Sequence, residues 1–211
     1  MKDLPPQYKN IVQFSPVRSG STLVYNILKG YELDVPIIKD HNFSYSSKNV
    51  YVTTIRHPFD SIISYCLKDN LPLSCQNLSQ SAQDYLLYGG SALLSPSIAK
   101  ANVLLLYYQR FVSDFDYVFD SLDKFLNISI PSQLRTALKK ELHIDRVESF
   151  TKRFKNFKTY DLSTHWHGNH ISPYKGKTDF NKILDKKQLL SLQEFSQLQL
   201  IINQFFPPTS E

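Results

Sequence analysis

The segment that most constrains the fold is a short apolar run followed by a turn of small residues and then a helical stretch. Asn10–Ser15 reads NIVQFS and predicts a short buried strand, and the turn PVRSGS leads into the sequence TLVYNILKG. Ser21 or Thr22 lies near the predicted helix start, and Gly30 is a stop signal. A strand that passes through a tight turn into a helix is typical of α/β proteins.

The same alternation of strands and helices continues along the chain. Asn49–Ile55 is rich in β-branched residues, Asn102–Tyr108 is the most apolar strand candidate, and Val35–Lys39 predicts a further short strand. We therefore expect a single α/β domain over residues 1–211, with a central, mostly parallel sheet of about four to five strands flanked by helices. The predicted helices are Phe59–Leu67 after Pro58, Phe111–Leu126, Pro131–His143 and Lys186–Phe206, with broken helical pieces in 69–100 and an irregular loop over 160–182.

Composition narrows the class of protein but does not choose a function. The chain has 211 residues and a formal net charge of +5, which favours anionic partners such as nucleotides, acidic glycans or nucleic acid. Cys66 and Cys75 are too few for a disulfide framework, so we expect free thiols in a reducing compartment. The start MKDLPPQYKN lacks the pattern of a signal peptide, and no run approaches the ~20 apolar residues of a membrane span. These features favour a cytoplasmic protein.

The turn from Pro16 to Thr22 (PVRSGST) is the first segment that suggests chemistry. A strand–turn–helix junction directs free backbone N–H groups and the positive end of a helix dipole at one point. Gly20 allows close backbone approach, Ser19 and Ser21 add hydroxyl donors, and Arg18 adds charge. The sequence lacks GxxxxGK[ST], so it is not a Walker A loop. Anion binding competes here with an ordinary turn and a hydroxyl helix cap.

Arg56 and Ser64 form a second candidate pair within IRHPFDSIIS. Arg56 ends a predicted strand, and Ser64 lies eight residues on in the helix that follows. The helix folds back beside its strand, so both side chains can reach one anionic group near the first turn. The planar fork of arginine suits a phosphate. The alternative is a strand-end arginine paired with Asp60.

Two weaker candidates follow in the chain. Lys39-Asp-His41 lies just past the second strand, and histidine is the usual general base near neutral pH. In the late loop 169–176 (NHISPYKG), Lys175 and Gly176 could close over a phosphate. A lone histidine or a lone lysine in a loop more often has no such role.

Taken together, these segments resemble the PAPS-dependent sulfotransferases, where PAPS is 3'-phosphoadenosine 5'-phosphosulfate. PVRSGST resembles the family's 5'-phosphosulfate loop, and IRHPFDSIISY resembles its 3'-phosphate segment with the same arginine-to-serine spacing. IIKDH is similar to the Lys-x-His of cytosolic members, VLLLYYQRF to the strand that ends in Tyr-Glu-Asp-Leu, and HISPYKG to the loop that ends in Arg-Lys-Gly. The motifs span residues 14 to 176 in the family's order and imply a P-loop-NTPase-like fold.

The resemblance implies a role for each matching residue. Catalytic roles fall to His41 as the base, to Lys39 in stabilising charge, and to Arg18 at the transferring sulfuryl group. The implied nucleotide contacts are Arg18, Ser19, Gly20, Ser21 and Thr22 for the 5'-phosphate, Arg56 and Ser64 with Lys175 and Gly176 for the 3'-phosphate, and Tyr108 near the adenine. PAPS would be the co-substrate, PAP (its desulfated form) the product, and the acceptor a small molecule, glycan or lipid. No metal, nucleic-acid partner or membrane span is expected, and the oligomeric state is open.

The sequence also departs from the family pattern. Leu23 stands where the family often has tryptophan, so adenine stacking must come from elsewhere. The acidic residues after Tyr108 are replaced by Gln109 and Arg110. The short gap before Lys39-x-His41 leaves Glu32 as a rival base.

Two further clusters have alternative interpretations. His165, His167 and His170 surround Trp166; without cysteine ligands they suggest a loop that covers the acceptor pocket rather than zinc. The basic stretch 139–158 is either a solvated helix face or a surface for an anionic acceptor.

Two other functions compete with the sulfotransferase. A small-molecule kinase should carry a Walker lysine and a magnesium carboxylate after a strand, and the sequence shows neither. A non-catalytic nucleotide or nucleic-acid binding protein would leave Lys39 and His41 dispensable.

Overall fold

Four parallel strands form the central sheet of the computed structural model, which describes residues 8–207. The strands are β1 (Asn10–Phe14), β2 (Ile37–Asp40), β3 (Asn49–Ile55) and β4 (Val103–Tyr107), in the order β2-β1-β3-β4. Parallel pairing aligns Phe14 with Asp40 on one side and with Thr53 on the other. The predicted α/β class with a parallel, helix-flanked sheet is confirmed. Most of the N-terminal sequence MKDLPPQYKN lies outside the described residues.

The helices pack on both faces of this sheet. They are α1 (Ser21–Gly30), α2 (Pro58–Lys68), α3 (Cys75–Tyr85), α4 (Tyr108–Phe111), α5 (Phe115–Leu126), α6 (Ser132–Glu141), α7 (Ile144–Thr151), α8 (Phe180–Ile183), α9 (Lys186–Gln193) and α10 (Ser196–Phe205). A π-helical turn (Leu86–Gly90) and two 3-10 turns (Ser91–Leu94 and Pro96–Ala99) follow α3.

Side-chain alternation along β1 divides the interior into two cores. Ile11 faces a core built with α1, α5, α6 and α7, whereas Val12 and Phe14 face a core built with α2, α3, α9 and α10. Because successive side chains of a strand point to opposite faces, one strand supplies both cores. Both faces of the sheet are therefore covered, as a parallel sheet requires.

The strand order places a topological switch point between β1 and β3. The chain leaves β1 toward β2 on one side, and it leaves β3 toward β4 on the other. In open α/β sheets ligands bind in the crevice that this reversal opens beyond the carboxyl ends of the strands. The turn after β1 and the end of β3 hold Arg18 and Arg56.

The single closing helix predicted over Lys186–Phe206 is wrong, because the chain breaks at Phe195. Phe195 has φ −81 and ψ 96, which separates α9 from α10. Leu192 and Leu198 are both fully buried in the same core. Six residues apart on a continuous helix, they would point about 120° apart. The break lets both face the core.

The helix predicted over Phe111–Leu126 is also divided. Tyr108–Phe111 forms the short α4, and α5 begins after Asp114, whose carboxylate accepts from the N–H groups of Asp116 and Tyr117. This side-chain cap starts a new helix in a new direction.

Neither cysteine is in a disulfide. Cys66 is buried and Cys75 is partly exposed, and both are free thiols as expected. Within residues 8–207, no helix is long and apolar enough to cross a membrane.

Candidate functional site

Buried hydroxyl groups hold the loop between β1 and α1 in shape from the inside. The Ser19 hydroxyl donates to the Pro16 carbonyl at 2.6 Å and lies 3.0 Å from Thr54 Oγ1. Ser15 Oγ accepts from the Thr54 N–H at 2.9 Å. The Ser19 hydroxyl is thus engaged within the loop, and an anion would meet the backbone N–H groups and not this side chain.

Gly20 gives the loop its sharp turn into α1. Its φ is 89°, and a β-carbon there would lie 2.6 Å from a ring carbon of Phe111 and 2.9 Å from one of Tyr108. Gly20 has no side chain with which to cap α1, so the first N–H groups of the helix are left for an external partner. With close packing and without a side-chain cap, the N-terminus of α1 has the features of a helix end that can bind an anion.

Gly176 approaches the same tyrosine from the late loop. Its φ is 84°, and an added β-carbon would lie 2.8 Å from the Tyr108 hydroxyl. Tyr108 therefore lies between the first loop and the late loop, close to both Gly20 and Gly176. Tyr108, Gly20 and Gly176, which the sequence predicted as nucleotide contacts, therefore lie close together in the structure.

Arg18 is held in a strained backbone conformation at the centre of the site. Its φ of 62° lies in the left-handed region, which costs a residue other than glycine about 1–2 kcal/mol. Its Nε donates to Ser64 Oγ at 3.1 Å, and Nη2 donates to the His170 carbonyl at 3.0 Å. Burial, and then the charge of Arg56, lowers the pKa of Arg18 to about 10. The surroundings therefore destabilise the charged form of Arg18.

Arg56 is buried with most of its hydrogen-bonding capacity unused. Its side chain is 3% exposed, and Nη1 donates to the Arg18 carbonyl at 3.1 Å. The guanidinium lies 4.3 Å from the centre of the Tyr108 ring. Nε and Nη2 have no hydrogen-bond partner among the described residues, and no ion pair within 4 Å joins Arg56 to Asp60 there, although the charge of Arg56 acts on the Asp60 carboxyl and partly offsets the rise in pKa that burial causes. The alternative of a strand-end arginine paired with Asp60 is thus not what the structure contains.

Lys39 points at the start of α1. Its Nζ donates to Thr22 Oγ1 at 2.8 Å. Burial, and then the charge of Arg18, lowers the pKa of Lys39 to about 8. A bound anion would offset the charge of Arg18 and raise the pKa of Lys39 again.

His41 is oriented by the first loop. Its Nδ1 lies 2.7 Å from the Ser15 carbonyl. A carbonyl can only accept, so Nδ1 carries the proton and Nε2 keeps its lone pair in the neutral ring. Burial lowers the pKa of His41, so the ring is neutral near pH 7. It has the protonation state of a general base.

Lys175 lies near the site but its ammonium group is engaged elsewhere. Nζ is 2.8 Å from Glu148 Oε2 and 3.2 Å from Asp145 Oδ1, both on α7. These carboxylates raise the pKa of Lys175. A phosphate would have to compete with them for this lysine.

Glu32 lies away from the other candidates. It follows the C-terminal end of α1, whose N-terminus is at the site. At a rise of 1.5 Å per residue, ten residues place it about 15 Å from the first loop. The structure therefore does not bring this rival base to the centre.

The three histidines of the late loop do not form one cluster. His167 and His170 are in contact, with Nε2 and Nδ1 3.3 Å apart. His165 instead packs edge-on against Tyr25 and stacks on Tyr160. The described part of the chain contains no group of three or more His, Cys, Asp or Glu that could hold a metal ion.

Cations of the basic stretch 139–158 are partly paired at the surface. Lys139 forms an ion pair with Asp116 at 2.6 Å, and Arg153 with Asp161 at 3.5 Å. Arg153 also lies 3.5 Å from the centre of the Phe150 ring. These contacts fit a solvated face for part of the stretch.

Three contacts at the site have little or no signal in the sequence. The backbone carbonyl of His170 holds Arg18, and no residue type is needed to supply a carbonyl. Asp60 accepts from the Phe180 N–H at 3.0 Å and ties α8 to the first turn of α2, which follows Arg56. A β-carbon on Gly89 would lie 3.0 Å from the backbone of the first loop. Only the Gly-Gly pair at 89–90 could have indicated such a close approach.

The arrangement can bind an anion of high charge. Arg18, Arg56 and Lys39 converge between the first loop, β3 and β2, and no ion pair neutralises any of them in residues 8–207. Like charges held together in a buried site are unfavourable unless an anion joins them. His41 adds a neutral imidazole beside this cluster.

Comparison with known proteins identifies the fold of this chain. No family model and no curated protein matches the sequence. The fold is similar to mouse sulfotransferase SULT7A1 complexed with PAP, with a TM-score of 0.61 and 12% identity over 91% of this chain and 83% of that one. It is also similar to retinol dehydratase in complex with androsterone and the inactive cofactor PAP, with a TM-score of 0.55 and 12% identity over 94% and 81% of the two chains. The chain therefore has the fold of the PAPS-dependent sulfotransferases.

Proposed function

We propose that this protein is a sulfotransferase that moves the sulfuryl group of PAPS to a hydroxyl or amine of an acceptor. The observation that carries the proposal is the buried guanidinium of Arg56, whose Nε and Nη2 have no partner within the described residues. A buried unsatisfied donor costs about 1–3 kcal/mol, and more when it is charged. An anionic ligand that accepts from both atoms removes that cost.

The donor nucleotide would bind through both of its phosphate ends. The N-terminus of α1 and the backbone of 19–22 would hold the 5'-phosphosulfate, and Arg56 with Ser64 would hold the 3'-phosphate. Tyr108, which packs against Gly20, Gly176 and Arg56, would flank the nucleotide. Lys175 and Gly176 would close the site after Lys175 leaves its carboxylate partners.

Transfer would place the acceptor between the sulfur atom and His41. The acceptor oxygen forms the new S–O bond, the bond from sulfur to the bridging oxygen breaks, and PAP leaves with the electron pair. His41 Nε2 takes the acceptor proton, because its Nδ1 donates to Ser15. Catalysis of this kind depends on positioning and on stabilising charge at the oxygens.

Lys39 and Arg18 would stabilise the charge that develops on the leaving oxygen. Lys39 lies beside Thr22 in the first loop, and Arg18 leaves the same loop. The pKa of Lys39, about 8 with burial and Arg18 as its causes, leaves it mostly protonated at pH 7. Its charge is then available where the reaction needs it.

The acceptor would enter on the side of the late loop. The aromatic and histidine side chains that pack together there include Tyr25, Tyr160 and His165. Small molecules, glycans and lipids all remain candidate acceptors, and the protein would work in the cytoplasm without a metal.

Donor binding is tested by calorimetry with PAP, and transfer by turnover of labelled PAPS against a panel of acceptors. We expect the wild-type protein to bind PAP and to transfer label to at least one acceptor. A His41→Ala variant should bind PAP normally and lose at least about 100-fold in kcat, because a general base contributes about 10²–10⁴-fold to the rate. Full turnover by this variant would remove His41 as the base, and absence of PAP binding by the wild type would refute the proposal.

A further inference from the structure

A chain of hydrogen bonds connects two histidines to the guanidinium of Arg18. His167 Nδ1 lies 2.6 Å from the Gly168 carbonyl, so Nδ1 carries the proton and Nε2 is an acceptor. His170 Nδ1 lies 3.3 Å from that Nε2 and donates to it. The carbonyl of His170 in turn accepts from Arg18 Nη2 at 3.0 Å. The chain thus runs Gly168, His167, His170, Arg18.

The segment that carries these histidines is fixed to the rest of the molecule on several sides. A β-carbon on Gly168 would lie 2.6 Å from the Phe154 carbonyl, so the backbone there is in close contact. The Asn169 side chain donates to the Lys68 carbonyl at 2.9 Å, at the end of α2. Trp166 is buried in the core that is built with α1, α5, α6 and α7. These contacts give the histidine pair a rigid base.

The pair fits its surroundings only in the neutral state. Arg18 of the first loop, Lys39 of β2 and Lys68 of α2 all direct positive charge at His167, and Arg18 and Lys39 do so at His170. Glu148 of α7 and Lys152, which follows α7, line the cleft, of about 300 Å³, that His170 also borders. Burial, followed by the charge of Arg18, lowers the pKa of His167 to about 4. Burial, followed by the charges of His167 and Arg18, lowers the pKa of His170 well below its usual range. Protonation of His167 would also remove its acceptor at Nε2 and break the chain of hydrogen bonds.

We propose that His167 and His170 are positioning residues that hold the Arg18 guanidinium at the transferring group through the His170 carbonyl. The inference rests on the proposed sulfotransferase function, because it assigns Arg18 to the sulfuryl group. The pair also opposes the strain of Arg18, whose φ of 62° would otherwise favour relaxation of the loop. Neither histidine touches the substrate in this role.

The test separates hydrogen bonding from simple packing by the choice of substitution. In His167→Gln the amide oxygen reaches as far as Nε2 and keeps the acceptor, and in His170→Asn the amide nitrogen replaces Nδ1–H and keeps the donor. His167→Leu and His170→Leu remove these groups. His143→Ala is the matched control, since that histidine is 62% exposed on the side chain and caps α7.

We expect the leucine variants to lose about 10–100-fold in kcat, because small displacements of a positioning group have effects of that size. Their KM for PAPS should change by less than about threefold, and the glutamine and asparagine variants should recover kcat to within about threefold of the wild type. In a plot of kcat against pH, the loss of activity at acid pH should depend on one more protonation in the wild type than in the His167→Gln, His170→Asn double variant.

An activity-independent readout keeps this inference separable from the proposed function. The Arg18 Nη2–H resonances, assigned by their loss in Arg18→Lys, should exchange slowly in the wild type and in the conservative variants and rapidly in the leucine variants, because Nη2 is the atom that donates to the His170 carbonyl. A wild type without turnover but with this pattern would refute the sulfotransferase and leave the positioning role standing. Leucine variants with wild-type kcat and slow exchange of Arg18 Nη2–H would overturn the positioning role.

Discussion

Replacement of Arg56 by methionine should greatly weaken nucleotide binding while it leaves the fold nearly unchanged. Nε and Nη2 are the buried donors without a partner, and the side chain is 3% exposed. Each charge-assisted hydrogen bond that they form with a 3'-phosphate contributes about 1.5–3 kcal/mol, so the two contribute about 3–6 kcal/mol. At 1.4 kcal/mol per tenfold, the Kd for PAP should rise by about 10²–10⁴.

Stability of the ligand-free protein should change little, because gains and losses nearly cancel. Methionine removes two unsatisfied donors, which relieves about 2–6 kcal/mol. It also loses the bond to the Arg18 carbonyl and the contact with the Tyr108 ring, together about 2–5 kcal/mol. A net change within about 2 kcal/mol corresponds to a Tm shift within about 8 °C for a chain of this size.

The assay is calorimetric titration with PAP, combined with thermal unfolding with and without PAP. Arg135→Met is the matched control, because Arg135 on α6 already forms ion pairs with Asp120 and Asp123 at 2.6 Å. It should bind PAP like the wild type. A PAP Kd for Arg56→Met within threefold of the wild type would refute the reasoning.

Three other substitutions probe the same site. Gly20→Ala should lower Tm and weaken PAP binding at least tenfold, because φ is 89° and the new methyl would meet Phe111; thermal unfolding and calorimetry check this. Burial raises the pKa of Asp60 to about 6, so ionisation of Asp60 destabilises the folded protein as pH rises above the unfolded pKa of 3.8. Between pH 4 and pH 8, the free energy of unfolding of Asp60→Asn should therefore rise by about 2 kcal/mol relative to that of the wild type, as measured by urea unfolding. Glu148→Gln frees Lys175 from its nearest carboxylate and should tighten PAP binding about 2–5-fold by calorimetry, and unchanged affinity would contradict a role for Lys175 in closing the site.

Prediction from sequence succeeded best where local pattern and tertiary structure agree. The strand Asn49–Ile55 was predicted with its observed bounds, because a run of β-branched residues between turn signals has few alternatives. The closing helix was predicted as continuous, because every residue from 186 to 206 fits a helix locally. Only the need to bury both Leu192 and Leu198 in one core explains the break at Phe195.

The candidate site shows the same division. Spacing alone indicated that Arg18, Arg56 and Ser64 would meet, and the structure has Arg18 in contact with both. The roles predicted for these residues remain predictions. Spacing gave no means to foresee that Lys175 pairs with Glu148 and Asp145, since those partners come from a separate helix.

By itself, the sequence determined the alternation of strands and helices, the shape of the first turn and the excess of positive charge at two strand ends. These properties depend on neighbours in the chain: side-chain periodicity, the freedom of Gly20 and the placement of Arg18 and Arg56 after strands. Tertiary structure alone decided which donors are left without a partner and which carbonyl holds Arg18. Both depend on segments more than a hundred residues apart, such as Arg18 and His170, and on burial that no local pattern records.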